Sequence, residues 1–338
     1  MSLLNPPVIL FIVMTILAAP VFGESPRPVT KDATPEAAEL LEFIYSISGE
    51  KTLSGQHDFP MSGSYFTSFV REITGDYPVV YGRDFGFSAD DTLDGINYRQ
   101  RTIDEIIASH RKGAIITLMW HAVPPTMDEP VTFREGVQSK LTDAQWEELV
   151  TPGTELNRRW QAQVDVIASY LKQLQDAKVP VIWRPYHEMN GNWFWWGNRP
   201  GENGYRKLYR MLFERLVEHH NLRNLIWVFN GNEVRLGIRS YEPFYPGHDV
   251  VDILATDVYR KYNDSDYESL LKLADGKPIA LGEIGPFPTP GYLKAHPRWA
   301  WFMCWTDFLV RQDRDDVNAV YSLPQVLTRK DLETKQTD

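Results

Sequence analysis

Apolar residues along this chain alternate between two rhythms. Runs of six to nine residues rich in Val, Ile, Leu and Trp stand at Thr52 to His57, Pro78 to Asp84, Ala114 to His121, Pro180 to Glu188, Asn224 to Phe229, Val251 to Tyr259, Pro278 to Glu283, and Trp299 to Trp305. Such runs read as strands. Between them the apolar spacing becomes helical, as at Asn97 to Lys112 and at Glu155 to Ala177, where Trp160, Val164, Ile167, Leu171 and Leu174 recur three and four apart. A β-then-α rhythm with eight strands predicts an α/β chain folded as a single-domain (β/α)8 TIM barrel, with one long loop from Val123 to Thr154 after the third strand. The competing doubly wound sheet lacks its glycine-rich phosphate turn, since SGQHDFP follows the first strand. No Gly/Ser linker or charge block interrupts residues 36 to 325, so residues 36–338 read as one domain behind a leader at 24–35.

Composition narrows the partners. With 338 residues, 43% of them hydrophobic and 24% charged, the chain can sustain a large core. A formal charge of −10 disfavours nucleic acid and anionic lipid and is compatible with a neutral polymer. The apolar stretch Val8 to Phe22, followed by Gly23, resembles a secretory signal, so removal of residues 1–23 and a secreted or periplasmic location are expected. No Lys or Arg precedes Glu24, which leaves an uncleaved anchor as the alternative, although the stretch is short for a span of about 20 residues. After cleavage no stable membrane association is expected, and the processed chain should be a monomer. Cys304 is the single cysteine and excludes an intrachain disulfide framework.

Polar residues gather where the strand runs end: His57 and Asp58, Arg83 and Asp84, Trp120 and His121, His187 and Glu188, Asp257 and Tyr259, Glu283, and Trp305. In a (β/α)8 barrel these ends converge on the face that carries catalysis. The densest segment, WRPYHEMNGNWFWWG at residues 183 to 197, places four Trp beside a Glu, a His and an Arg. Trp faces stack on the C–H faces of sugars, and a carboxyl can protonate a glycosidic oxygen. Glu188 closes the fourth strand and Glu283 closes the seventh, in IALGEIG, so the two face each other across a barrel mouth. Retaining glycosidases use two carboxyls about 5 to 5.5 Å apart in this way. The His and Asp residues at the strand ends show neither HxH nor HExxH spacing, so no metal and no cofactor are expected.

The motifs RPYHEMNGNWFWWG (Arg184 to Gly197), SGQHD (Ser54 to Asp58), MWHA (Met119 to Ala122), DVY (Asp257 to Tyr259), GEIG (Gly282 to Gly285) and CWTDF (Cys304 to Phe308) together resemble glycoside hydrolase family 26, the β-mannanase family. The resemblance spans nearly the whole chain beyond the leader. It implies Glu188 as acid/base and Glu283 as nucleophile, with Tyr259 donating to the nucleophile. It also implies His121 and His187 around the scissile sugar, Trp305 as the floor there, and Trp193 beside the leaving-group sugar. The activity it implies is a secreted, retaining endo-β-1,4-mannanase acting on mannan, glucomannan or galactomannan. Relatives in the same family attack β-1,3-xylan or mixed-linkage β-glucan, and a non-catalytic carbohydrate-binding barrel is the alternative of another class.

Alternation assigns the neighbours. Arg184, Tyr186 and Glu188 should share the inward face, with Arg184 a charge partner for the site. Asp257 shares a face with Tyr259 and should orient a nearby His or Arg. Of Trp195 and Trp196, one should pack under the loop and the other face the cleft, and Trp196 is kept as a candidate support residue. Trp120 should point to the opposite face from His121, into the core, and Glu233 in FNGNEV reads as an exposed loop residue.

Overall fold

A serine splits the first stave of the barrel. Ser54 lies between β1 (Thr52–Leu53) and β2 (Gly55–His57), and its hydroxyl donates to the Leu327 carbonyl at 2.7 Å. The computed structural model describes residues 26–333. The remaining strands are β3 (Val80–Asp84), β4 (Ile115–Trp120), β5 (Val181–Pro185), β6 (Leu225–Asn232), β7 (Ile253–Val258), β8 (Ile279–Ile284), β9 (Trp299–Cys304) and β10 (Val326–Leu327). Strands β2 to β9 pair in parallel with their sequence neighbours, and β9 returns to both β8 and β2. That closes a (β/α)8 TIM barrel. The two-residue β10 adds a parallel pairing to β1 outside the circle, too short a run to stand out in the sequence.

Helices cover the outside as the periodicity predicts. Residues Arg99–His110 and Glu155–Asp176 are helical, and the longer one buries Trp160, Val164, Ile167, Leu171 and Leu174. Leu171 is fully buried. Leu171→Ala is therefore expected to cost about 3 kcal/mol, from lost transfer energy plus a cavity, read as a lower urea midpoint at unchanged slope. The helix Pro35–Ile47 packs Ala37, Leu40, Leu41, Ile44 and Ile47 in one cluster with the inward residues at the lower end of the barrel, among them Leu53, Ile182, Ile226 and Ile253. The N-terminal mouth is thus closed by apolar packing, and the open end is the C-terminal one.

The stretch from Val123 to Thr154 is not a plain loop. It holds a helix at Asp143–Val150 whose N-terminus carries a capping box between Thr142 and Gln145. The apolar run Val8 to Phe22, with its expected processing point, lies outside the described residues. Among the described residues no helix is long and apolar enough to cross a membrane.

Candidate active site

Strand alternation sets which side chains enter the mouth. On β4, Ile116, Leu118 and Trp120 pack outward, which turns Thr117, Met119 and the following His121 inward. On β5, Ile182 points in with Arg184; on β7, Ile253 and Ala255 point in with Asp257. β8 would break the pattern, because Ile279, Leu281 and Ile284 all pack outward and strict alternation would send Glu283 out with the first two. A register shift against β7, between Thr256↔Leu281 and Asp257↔Glu283, supplies the extra residue that turns Glu283 into the mouth. Gly282 permits it: a Cβ there would lie 2.0 Å from Asn230 Oδ1.

The turn after β5 departs from the alternation. β5 stops at Pro185, and both Tyr186 (φ 48°) and Glu188 (φ 55°) take the left-handed region. Such conformations are costly for side-chain-bearing residues and mark turns held by their surroundings. The expectation that Tyr186 faces inward is thereby corrected: its hydroxyl accepts from Trp160 Nε1 at 2.8 Å, in the helical layer. The Glu188 N–H donates to the Asn230 carbonyl at 2.8 Å, and the Gly191 N–H donates to the Glu188 carbonyl at 3.0 Å. A Cβ on Gly191 would lie 2.1 Å from the Trp193 ring, so glycine at this position lets the indole fold back over the turn.

Glu188 and Glu283 open onto one cavity of about 380 Å³, shared with His121, His187, Trp193, Tyr259 and Trp305. Their surroundings differ in sign. Glu283 accepts from Arg184 Nη2 at 2.7 Å on one oxygen and from the Tyr259 hydroxyl at 2.5 Å on the other, so both its direction and its charge are provided for. Glu188 accepts from two neutral donors, Trp193 Nε1 at 2.5 Å and Asn232 Nδ2 at 2.8 Å. Burial pushes the Glu188 carboxyl up to about 7, and the neighbouring Glu283 charge adds to the push. Asp257, behind the pair, is raised well above the usual carboxylate range by burial and then by Glu283, with Arg184 opposing at 3.4 Å.

The two imidazoles divide similarly. His187 is held well below its ordinary pKa by burial and then by His121 and Arg184, and its Nε2 lies 3.9 Å from Glu283. Burial also works against a charge on His121, but its ion pair with Asp84 outweighs this and raises its pKa. The two rings are thus pushed in opposite directions, with centroids 4.8 Å apart. Trp305 lies partly exposed over His57, its ring stacked at 4.2 Å.

Two expectations need amendment. Neither Trp195 nor Trp196 faces the cleft; both are buried, with Trp196 stacked on Phe194 at 4.4 Å and donating to the His187 carbonyl at 2.8 Å. Trp196 therefore acts through packing, and Phe194 takes the cavity wall in its place. Glu233 is not exposed: it is 3% accessible and lines the cavity. The stretch between the third and fourth barrel strands contributes Phe133 and Gln138 to the wall, where no site residue was anticipated. Trp120 does pack into the core, as its parity predicts.

Comparison with known proteins places this geometry. The profile of Glycosyl hydrolase family 26 matches residues 29–331. The chain belongs to this family. It is 34% identical over 308 residues to a mannan endo-1,4-beta-mannosidase of Thermothelomyces thermophilus, covering 87% of this chain and 59% of that protein. It is also 30% identical over 300 residues to mannan endo-1,4-beta-mannosidase A of Piromyces sp, covering 86% and 47%. The chain thus spans about half the length of these relatives. Among solved structures, GH26A from Muricauda sp. MAR_2010_75 superposes with a TM-score of 0.85 at 46% identity, covering 89% of this chain and 98% of that one. A β-mannanase from a symbiotic protist of the termite Reticulitermes speratus, solved with a gluco-manno-oligosaccharide, gives 0.77 at 26% identity, covering 90% and 96%.

Within this family 26 barrel, donor atoms of His187, Asp257 and Glu283 lie within 4.8 Å of one another, close enough for a divalent ion. The Arg184 guanidinium already reaches two of the three and brings the positive charge a metal would bring. Asn232 is the contact the sequence reading missed. Its only signal is an inward parity two residues beyond Asn230 on β6, at the end of a run read as stopping at Phe229.

Proposed function

We propose that the chain is a secreted, retaining endo-β-1,4-mannanase that cleaves mannan, glucomannan or galactomannan by double displacement. One observation carries the reading: two carboxyls share a cavity, one held protonated into the neutral range and the other fixed by a guanidinium and a phenol. In the first step Glu283 attacks the anomeric carbon while the glycosidic C–O bond breaks. Glu188 gives its proton to the departing oxygen, and a glycosyl ester remains on Glu283. In the second step Glu188, now ionised, takes a proton from water as the water attacks the same carbon and the ester bond breaks. Tyr259 and Arg184 hold the nucleophile in line. Trp305 is the platform under the reacting sugar, His121 and His187 flank it, and Trp193 stands beside the leaving group. The names of the relatives in both sequence and structure support mannan as the substrate class.

The test is hydrolysis of purified polysaccharides with a product profile from mannohexaose. Cleavage of mixed-linkage glucan without cleavage of mannan sinks the substrate assignment, and release of the α-anomer first, followed by NMR, sinks the stereochemistry. Because Arg184 supplies the cation at the carboxylates, excess chelator is expected to leave the rate on mannan unchanged; restoration of a lost rate by a divalent ion would contradict this. Export follows from the Val8 to Phe22 run, and Edman sequencing of the secreted protein checks processing near Gly23.

A further inference from the structure

Glu233 is a buried carboxylate in the cleft that the double displacement leaves without a task. A line from Glu188 to Glu283 divides the barrel mouth into two arcs. One arc, formed by β9, β2, β3 and β4, carries Trp305, His57, Asp84 and His121, the floor and flank of the reacting sugar. The other arc, formed by β6 and β7, holds Asn232, which donates to Glu188, the group that protonates the departing oxygen in the proposed mechanism. Glu233 follows Asn232, which holds Glu188, and therefore stands on this second arc.

Its contacts reach two loops at once. Glu233 Oε1 faces Arg235 Nε at 3.4 Å, and Oε2 accepts from the Arg260 N–H at 3.3 Å. Its own N–H donates to the Asp257 carbonyl at 2.9 Å. The carboxylate is buried, but Arg235 and Arg260 are both exposed and both line the catalytic cavity. Among the described residues the Arg260 guanidinium forms no ion pair or hydrogen bond, so its donors are free for a ligand. A guanidinium offers five N–H donors in a rigid plane, and sugar hydroxyls are ready acceptors.

We infer that Arg235 and Arg260 form the subsite for sugars on the leaving-group side of the cleaved bond, with Glu233 the positioning residue that sets both. This rests on the glycosidase reading of Glu188 and Glu283. Substrates that place a sugar on the second arc depend on the two arginines, and substrates with an aryl leaving group do not.

The experiment compares mannohexaose with a nitrophenyl β-mannobioside. The double variant Arg235→Ala/Arg260→Ala is expected to lose about tenfold or more in kcat/KM on mannohexaose, mainly through KM, and to stay within about twofold on the aryl substrate. Glu233→Ala should follow the same split, and Glu233→Gln should recover part of the loss, because its amide oxygen can still accept from the Arg260 N–H. An equal fall on both substrates overturns the subsite in favour of a general role in folding or chemistry, and an unchanged rate on mannohexaose removes the contact altogether. Failure of the wild-type protein on both substrates is a different result, which overturns the mannanase reading and this inference with it.

Discussion

Glu283→Ala is expected to lower kcat on mannan by at least about 10⁴-fold, the scale on which loss of an attacking group is felt. The structure separates this from a folding defect. Removing one member of a buried charge set often costs about 3 to 5 kcal/mol, because the partner is left uncompensated. Here Arg184 keeps Asp257 at 3.4 Å, and Asp257 is raised partly by the Glu283 charge. Taking that charge away favours ionisation of Asp257, which then balances Arg184. The variant should therefore melt cooperatively and retain oligosaccharide binding while turnover disappears. Azide offers the positive control: the truncated side chain leaves room for a small anion on the face from which Glu283 attacks. With an aryl mannobioside, azide should restore turnover and give the α-mannosyl azide, identified by NMR, since one displacement inverts the centre. Substantial mannan cleavage by Glu283→Ala without azide would remove Glu283 from the nucleophile's role.

How much of this was legible beforehand depends on which physical rule governed each residue. Periods of two and of three to four residues located the eight barrel strands and the two helices read from them, because burial against a sheet imposes those periods. Parity then placed His121, Arg184 and Asp257 inward and Trp120 outward. Parity fails where the backbone is irregular. Glu283 enters the mouth through a register shift, and Tyr186 leaves it through a left-handed turn, neither of which has a side-chain signature. The mouth position of Glu283 was read instead from its place at the end of the seventh strand run, with the GEIG resemblance in support. Trp195 and Trp196 show another limit: adjacent residues on a strand would oppose each other, but in this irregular turn both are buried. Glu233 was misread because a polar residue after a strand is usually solvated, whereas the β6 and β7 loops fold over this one.

The pH dependence of Glu188 gives the second large effect. Its carboxyl is pushed up to about 7 by burial and by Glu283, so it stays protonated through the mildly acid and neutral range and loses its proton above that value. The protonated form is the one that assists departure of a poor leaving group such as a sugar alkoxide. The sign follows: kcat/KM on mannan should hold up to about pH 7 and fall above it. Glu188→Ala should lower kcat on mannan by about 10³-fold, within the range usual for a general acid. It should act differently on a dinitrophenyl β-mannobioside, whose leaving group needs no proton. There the first step should proceed without the alkaline fall, while the second step lacks its base and becomes limiting. A burst of dinitrophenol should then be followed by slow turnover, and mass spectrometry of the stopped reaction should find one mannobiosyl unit on the peptide containing Glu283. Removing the Glu283 charge should in turn shift the Glu188 titration downward, measurable by NMR in Glu283→Gln, because that charge is the second cause of its rise. If Glu188→Ala were equally impaired on mannan and on the dinitrophenyl substrate, or kept the alkaline fall, the acid/base assignment would belong to another group.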